Sequence, residues 1–325
     1  MASFEKKPLG KTGLAISALG FGTGPLGWRD ETVDDDELNT IFDDLVAHGV
    51  NYFDTAPMYG FGRAERRLGR MLANRPHAGM IVSTKVGRLL RPDEPGHSDD
   101  PVIFDYGADA AWRSIEESLE RLKRGSVDIA LIHDIDRRTH GSGQPERFRQ
   151  ALEGAYVALA AMKEQGLVRA IGLGVNEWQV CRDFAARVPV DCFMLAGQHS
   201  LLNRTALHDF LPWCAQRGIG LMIAGPFNSG ILAKGAQPGA RYDYRPASAE
   251  MLARVQAMDD ICARHHVSLP AAALAFCAKG PAVASVVVGA ASARQVRQTL
   301  GYAGEIVPQA LWTDLARFLG DRQRM

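Results

Sequence analysis

Eight times along this chain a short apolar run gives way to a segment with helical spacing, and no other feature restricts the fold as much. "ALGFGT" precedes "VDDDELNTIFDDLVAHG", "YFDTA" precedes "RAERRLGRMLANR", "MIVSTKVG" precedes "GADAAWRSIEESLERLK", and "DIALIHD" precedes "PERFRQALEGAYVALAAMKEQG". The pattern continues with "AIGLGVN" and "EWQVCRDFAARV", "CFMLAGQ" and "TALHDFLPWCAQRG", "GLMIAGPF" and "SAEMLARVQAMDDICARHH", "SVVVGA" and "SARQVRQTLGYA". Runs this rich in Val, Ile and Leu read as strands covered on both faces, which requires a parallel sheet with right-handed helical crossovers. Eight units with no linker between them predict an α/β fold, one closed (β/α)8 barrel domain over residues 1–325. "PLGKTGLAIS" adds an N-terminal β-hairpin, while "SLPAAALAFCAKG" and "QALWTDLARFLG" add extra helices.

Composition excludes several function classes. Thirty-seven basic and 37 acidic residues cancel, so no global field draws in nucleic acid or an anionic membrane. No uncharged apolar stretch of roughly 18 residues is present, and "MASFEKKPLGKTG" lacks the apolar core of a signal peptide, so a cytoplasmic protein is expected. Cys181, Cys192, Cys214, Cys262 and Cys277 are odd in number and never spaced as CxxC, which argues against disulfides and zinc and for small buried hydrophobes. No metal site is expected.

Barrel active sites lie at the C-terminal ends of the strands, so polar residues there carry the most information. Asp54 ends the second run, with Tyr59 five residues on; Lys85 stands near the end of the third run and His133 near the end of the fourth. A lysine inside an apolar strand is costly unless paired, and Asp54 is the nearest carboxylate. A structural ion pair at the barrel mouth is one reading. Tyr59 suggests another, because a cation beside a phenol favours the phenolate and is expected to lower its pKa from about 10 toward neutrality. A phenol so adjusted exchanges a proton with an alcohol or carbonyl oxygen while hydride moves to or from a nicotinamide ring. His133 would steer that oxygen, or simply be a hydrogen-bonded histidine at a strand end.

"GTGPLG", Gly22–Gly27, has the spacing of a dinucleotide-binding loop, but that loop must open a helix at once. Pro25, Trp28 and "RDETVDDDE" intervene before helical periodicity begins, so a tight barrel loop is expected instead.

The set "LGFGT", "YFDTAPMYG", "STKVG", "LIHD", "RAIGLGVNEW", "GPFNSGIL" and "VVVGAASARQV" resembles the aldo-keto reductases over nearly the whole chain. The resemblance implies that Tyr59 is the general acid/base, that Asp54 and Lys85 tune it, and that His133 orients the substrate oxygen. It implies an NAD or NADP cofactor held by Thr23, Asp54, Asn176 and Gln198 at the nicotinamide, by Pro226, Phe227, Asn228, Ser229, Gly230 and Leu232 along the pyrophosphate, and by Gly289, Gln295 and Gln298 around the adenosine. Two positions depart from the family pattern. Ala224 stands where many relatives stack a tyrosine on the nicotinamide. Gly289, Ala291 and Gln295 stand where NADP-preferring relatives place Lys or Arg, with Arg294 and Arg297 close by.

"FDYGADAAWRSIEESLERL", "GVNEWQV", "GPFNSGILA" and "YDYRPA" are most similar to the bacterial D-threo-aldose 1-dehydrogenases, which include L-fucose dehydrogenases, with pyridoxal 4-dehydrogenases as neighbours. That resemblance implies oxidation of L-fucose, D-arabinose or a similar aldose at C1 to a lactone. Pyridoxal oxidation, general aldehyde or ketone reduction, and a nicotinamide-binding redox sensor are the alternatives. Trp28, Met58, Asp134, Trp178 and His199 are candidate sugar contacts, and "DRRTHGSGQPERF" a candidate covering loop. A small molecule is the expected partner.

Overall fold

The computed structural model describes residues 3–29, 33–73, 79–90 and 103–320. Eight parallel strands close into a barrel: β1 (Leu19–Gly22), β2 (Tyr52–Asp54), β3 (Ile81–Val86), β4 (Val127–His133), β5 (Val168–Val175), β6 (Cys192–Ala196), β7 (Gly220–Ala224) and β8 (Val283–Gly289), each paired with its neighbours and β8 with β1. The covering helices are α1 (Asp35–Ala47), α2 (Arg63–Ala73), α3 (Ala108–Leu122), α4 (Gln144–Gln150, Ala151–Ala155 and Tyr156–Glu164, the middle piece a π turn), α5 (Trp178–Ala185), α6 (Phe210–Arg217), α7 (Ala249–Arg264), α8 (Leu269–Cys277), α9 (Ala293–Ala303) and α10 (Gln309–Leu319). The alternation and the extra helices follow the expectation. The expected end of α2, residues 74–75, lies outside the described residues.

Side-chain alternation along the strands determines which residues meet in the interior. Tyr52, Ile81, Ile129, Leu131, Ala170, Cys192, Met194 and Met222 form one buried cluster with Leu9, Leu14 and Ile16 of the hairpin, while Phe53, Val82, Val86, Ala130 and Ile132 join the outer layer against the helices. With period 2, Tyr52 and Asp54, then Ile81, Ser83 and Lys85, then Ile129, Leu131 and His133 share the inner face. Apolar members fill the lower barrel and polar members sit above them. The hairpin, Lys6–Pro8 with Ala15–Ser17, closes the lower end, its Lys11 N–H donating to the Gly218 carbonyl at 3.1 Å. Burying Leu9, Leu14 and Ile16 there removes apolar surface worth about 2 kcal/mol per side chain.

Several short elements among the described residues escape the periodic pattern. A helix, Gly24–Trp28, begins directly after β1, so the "GTGPLG" segment is a helical turn rather than a plain loop. The closed barrel, not the length of that loop, is what rules out a dinucleotide fold there. Two small hairpins, Arg88–Leu89 with Ile103–Phe104 and Arg241–Tyr242 with Arg245–Pro246, rise above the strand ends. The segment after β4 starts as a helix, Arg137–His140, capped by Asp136, whose carboxylate accepts from the Thr139 N–H at 3.0 Å and its hydroxyl at 2.8 Å. All five cysteines are buried and unpaired, as a role as small hydrophobes requires.

Candidate active site

Asp54, at the end of β2, is almost fully saturated. Lys85 Nζ lies 2.8 Å from each carboxylate oxygen and donates also to the Thr55 carbonyl at 2.8 Å. From behind, the Ser83 hydroxyl donates to Asp54 Oδ1 at 2.6 Å, and Tyr52 Oη stands 2.9 Å from Ser83 Oγ. Thr23 is buried beside them, with both its N–H and its hydroxyl on the Asp54 carbonyl, at 2.9 and 3.0 Å. Burial acts to lower the Lys85 ammonium, but Asp54 and Tyr59 outweigh it and hold its pKa above the ordinary value.

Tyr59 follows in a loop held by close backbone packing. A Cβ on Gly60, whose φ is +58°, would lie 1.9 Å from the Gly27 carbonyl oxygen, and one on Gly27 would lie 2.7 Å from the Tyr59 carbonyl oxygen. Two glycines thus let the Gly24–Trp28 helix press directly on the loop and fix where the phenol points. Lys85 Nζ is 4.8 Å from the Tyr59 ring centroid, and the His133 ring meets the same ring edge-on at 6.0 Å. The four residues expected at one place are brought there.

The electrostatics differ from expectation in one respect. Lys85 pulls the Tyr59 hydroxyl down, as anticipated, but burial is the larger effect and pushes it up to about 12, with Asp54 and Asp134 adding to the rise. The expected pKa near neutrality is therefore corrected: the phenol holds its proton, and Lys85 limits a rise rather than producing a fall. His133 is lowered well below the ordinary histidine value by burial, then by Lys85 and Arg88. It is a neutral imidazole at physiological pH, able to donate from one nitrogen only. Its Nδ1 is buried without a partner and its Nε2 lies 3.6 Å from Asp134 Oδ2.

A second polar cluster stands on β4 and β5. Asp134 accepts from Arg88 at Oδ2 and from Asn176 Nδ2 at Oδ1, the latter at 2.9 Å. The Asn176 backbone N–H donates to Asp136 at 2.7 Å, and the Tyr106 hydroxyl donates to the His133 carbonyl at 2.8 Å. Arg88 was not singled out in the sequence; its place one residue past the "STKVG" strand end was the available signal.

The cofactor residues fit a nicotinamide dinucleotide in part. Thr23, Asp54, Asn176 and Gln198 all stand at strand ends around the barrel mouth. Asn228 is buried with its Oδ1 unpartnered, and Thr55 Oγ1 is likewise unpartnered, two polar atoms suited to a ligand. Along "PFNSG" the N–H groups of Asn228 and Gly230 turn back to Gly225 and Phe227 carbonyls, and Ser229 Oγ accepts from the Tyr244 N–H at 2.8 Å. Pro226 is buried and Phe227 partly buried against both outer cores. Leu232 is corrected: its side chain is wholly buried in the α7/α8/α10 core and its N–H bonds the Phe227 carbonyl. Gly289 and Gln298 are exposed at the β8–α9 end, while the Gln295 amide oxygen accepts from the Ala291 N–H at 2.7 Å. Arg297 is committed to Asp44 of α1 at 2.8 Å, whereas Arg294 is exposed near the α9 start. A bound nicotinamide supplies the hydride acceptor or donor; the chain supplies the proton and the orientation.

Among the sugar candidates, Trp28 is half exposed and stacks edge-on against Phe61 at 5.2 Å, and Met58 is partly buried beside the Tyr59 loop. Trp178, at the start of α5, is partly buried, packs its indole on Phe210 of α6 at 5.4 Å and has its Nε1 without a partner. His199 is corrected: it is fully buried, 3.0 Å from the Lys279 carbonyl, and ties the β6 loop to α8.

Residues 18–312 match the model of the Aldo/keto reductase family. The chain is similar to the pyridoxal 4-dehydrogenase of Microbacterium luteolum, 38% identical with 96% of both chains covered. It is 35% identical to the D-threo-aldose 1-dehydrogenase of a Pseudomonas species, 94% of each covered, and 32% identical to the L-galactose dehydrogenase of Arabidopsis thaliana, with 94% of this chain and 90% of that one covered. In fold it is similar to a glycerol dehydrogenase of Gluconobacter oxydans, with a TM-score of 0.77 at 22% identity over 98% of this chain and 96% of that one. An aldo-keto reductase of Bacillus halodurans in holo form gives a TM-score of 0.74 at 22% identity, covering 97% and 96%.

Proposed function

Because the chain belongs to the aldo/keto reductase family, oxidoreductases that use a nicotinamide cofactor, we propose that it oxidises an aldose such as L-fucose or D-arabinose at C1 to the lactone. The observation that carries this reading is the Lys85 ammonium between the Asp54 carboxylate and the Tyr59 ring, with a neutral His133 edge-on to that ring. In the oxidation direction Tyr59 acts in its phenolate form, reached by losing its proton to solvent: its Oη takes the C1 hydroxyl proton while the C1 hydrogen leaves as hydride for the nicotinamide, so a C=O bond forms and two electrons leave the sugar. His133 donates to the same oxygen. Pyridoxal oxidation is the second reading, favoured by the 38% relative. The two share a substrate form: an aldose ring and pyridoxal, whose aldehyde neighbours a hydroxymethyl group, both present a cyclic hemiacetal that oxidises to a lactone.

A panel of L-fucose, D-arabinose, pyridoxal and simple aldehydes, each with NAD+ and NADP+ and with lactone trapped as its hydroxamate, tests the reading. Turnover of a hemiacetal with lactone formed supports it; turnover confined to open-chain aldehydes or ketones rejects it. Tyr59→Phe separates an enzyme from a redox sensor. The variant is expected to bind cofactor by fluorescence titration and to lose turnover about 10²- to 10⁴-fold.

A further inference from the structure

The Asp134 cluster is more elaborate than an ion pair at a barrel rim needs to be. Asp134 follows β4 directly, is only 6% exposed, and holds a left-handed φ of +52°. A non-glycine residue there stores of order 1 kcal/mol of backbone strain, which persists only where its surroundings enforce it. Arg88 donates to Oδ2, Asn176 to Oδ1, and the Asp134 carbonyl accepts from the Tyr106 hydroxyl at 3.2 Å. Arg88 is in turn held over the Phe104 ring at 5.2 Å, on the small hairpin that follows β3.

The position of the carboxylate gives this cluster a purpose. Asp134 Oδ2 is 3.6 Å from Nε2 of His133, the histidine assigned to the reacting oxygen. An ionised carboxylate has about four acceptor sites, and Arg88 and Asn176 take one on each oxygen. Capacity therefore remains on this carboxylate beside His133 Nε2. Its negative charge also favours the His133 tautomer that carries the proton on Nε2, the form that donates to a substrate oxygen.

Resting on the hemiacetal reading, we infer that Asp134, braced by Arg88 and Asn176, is a specificity-determining residue that accepts a hydrogen bond from a hydroxyl near the reacting carbon. In an aldose that hydroxyl is the one on C2, bonded to the neighbour of C1; in pyridoxal the available donor is the ring phenol on C3, one bond further from the oxidised C4′. The substrate class is thereby narrowed to hemiacetals with a hydroxyl donor one or two carbons from the oxidised centre. The carboxylate accepts and does not take the reacting proton, so no redox step is assigned to it. A hydrogen bond of about 3 Å from the C2 oxygen to Oδ2 lies within reach of a substrate whose C1 oxygen is bonded to His133 Nε2.

D-arabinose and 2-deoxy-D-ribose differ only in the C2 hydroxyl, which makes them the test pair; pyridoxal and 3-deoxypyridoxal serve in the same way. The wild-type protein is expected to prefer the hydroxylated member by about 10- to 100-fold in kcat/KM, the effect of one hydrogen bond to a charged group. This readout needs no variant and is independent of any folding defect. Asp134→Asn is expected to cut kcat/KM for D-arabinose by a similar factor and for 2-deoxy-D-ribose by less than about 3-fold, so that discrimination collapses. Equal losses on both substrates would assign Asp134 a general structural role and overturn the inference, as would a wild-type protein that oxidises both members equally. Oxidation of no hemiacetal at all would instead remove the reading on which the inference rests. Cofactor fluorescence titration confirms that the variant is folded.

Discussion

Two carboxylates stand at the barrel mouth on strand ends one strand apart, and they are built for opposite purposes. Asp54 is surrounded by donors, with Lys85 on both oxygens and Ser83 behind one of them, so little capacity is left for a ligand. Asp134 has one donor per oxygen, sits on a strained backbone, and is pushed up to about 6 by burial despite Arg88. A saturated carboxylate fixes a neighbour's charge. An incompletely satisfied one, kept at a cost to stability, is a place for a ligand. The formal chemistry of an acid beside a base is the same in both, and the surrounding hydrogen bonds decide the role.

The largest expected effect comes from removing the cation of the first pair. Lys85→Met leaves Asp54 buried without its counter-charge, a loss of about 3–5 kcal/mol of stability by analogy with broken buried pairs. It also removes the one strong pull that keeps the Tyr59 hydroxyl from rising above about 12. Oxidation requires the phenolate, so its rate climbs with pH through the alkaline range. In the variant that climb is displaced to still higher pH and turnover at pH 8 falls on the order of 10³-fold. Thermal unfolding and the pH dependence of kcat check the two effects separately. A pH profile that coincides with that of the wild type would show that the pair is only structural.

The barrel and the first pair were legible in the sequence for the same reason: apolar runs that end on Asp54, Lys85 and His133 mark strand ends, and eight alternations leave few topologies. The second pair was not. Arg88 and Asp134 lie 46 residues apart and meet through a hairpin with no periodic signal. Tyr52 and Ser83 read simply as strand residues, because alternation gives a face but not a hydrogen-bond partner. The sign of the Tyr59 shift was missed because a neighbour in the chain can be named from sequence, whereas the burial that outweighs it cannot. Trp178 read as a strand-end aromatic, and its packing on Phe210 is a contact between helices that spacing does not give.

Titration sharpens the contrast at the second pair. Asp134 has a folded pKa raised from 3.8 to about 6, so its contribution to stability is fully present below pH 3.8 and is lost as pH rises through 6. Asp134→Asn carries no such dependence. The stability of the wild type relative to this variant is expected to fall by ~3 kcal/mol between pH 3.5 and pH 8, about 1.4 kcal/mol per pKa unit. Urea unfolding at a series of pH values measures it. A constant difference would mean that Arg88 and Asn176 stabilise the carboxylate fully, and the distinction between the two acids would disappear.

The smallest effect tests what lies behind Asp54. Ser83 has one proton, and at 2.6 Å it goes to Asp54 Oδ1; Tyr52 must then donate to Ser83 Oγ, 2.9 Å away, with Met222 Sδ also 2.9 Å from the phenol. The order of protons is fixed because the acceptor at the far end has none to give. This chain crosses the barrel interior and holds Asp54 against Lys85 from below. Ser83→Ala removes one donor to a charged group, worth about 1.5–3 kcal/mol at most, and leaves the Lys85 clamp in place. Turnover is expected to fall about 10-fold with KM for substrate nearly unchanged, and Ser83→Thr, which restores the hydroxyl, to recover most of it. If Ser83→Ala lowered Tm but left kcat alone, the chain from Tyr52 would belong to the packed lower barrel and Asp54 would owe its geometry to Lys85 alone.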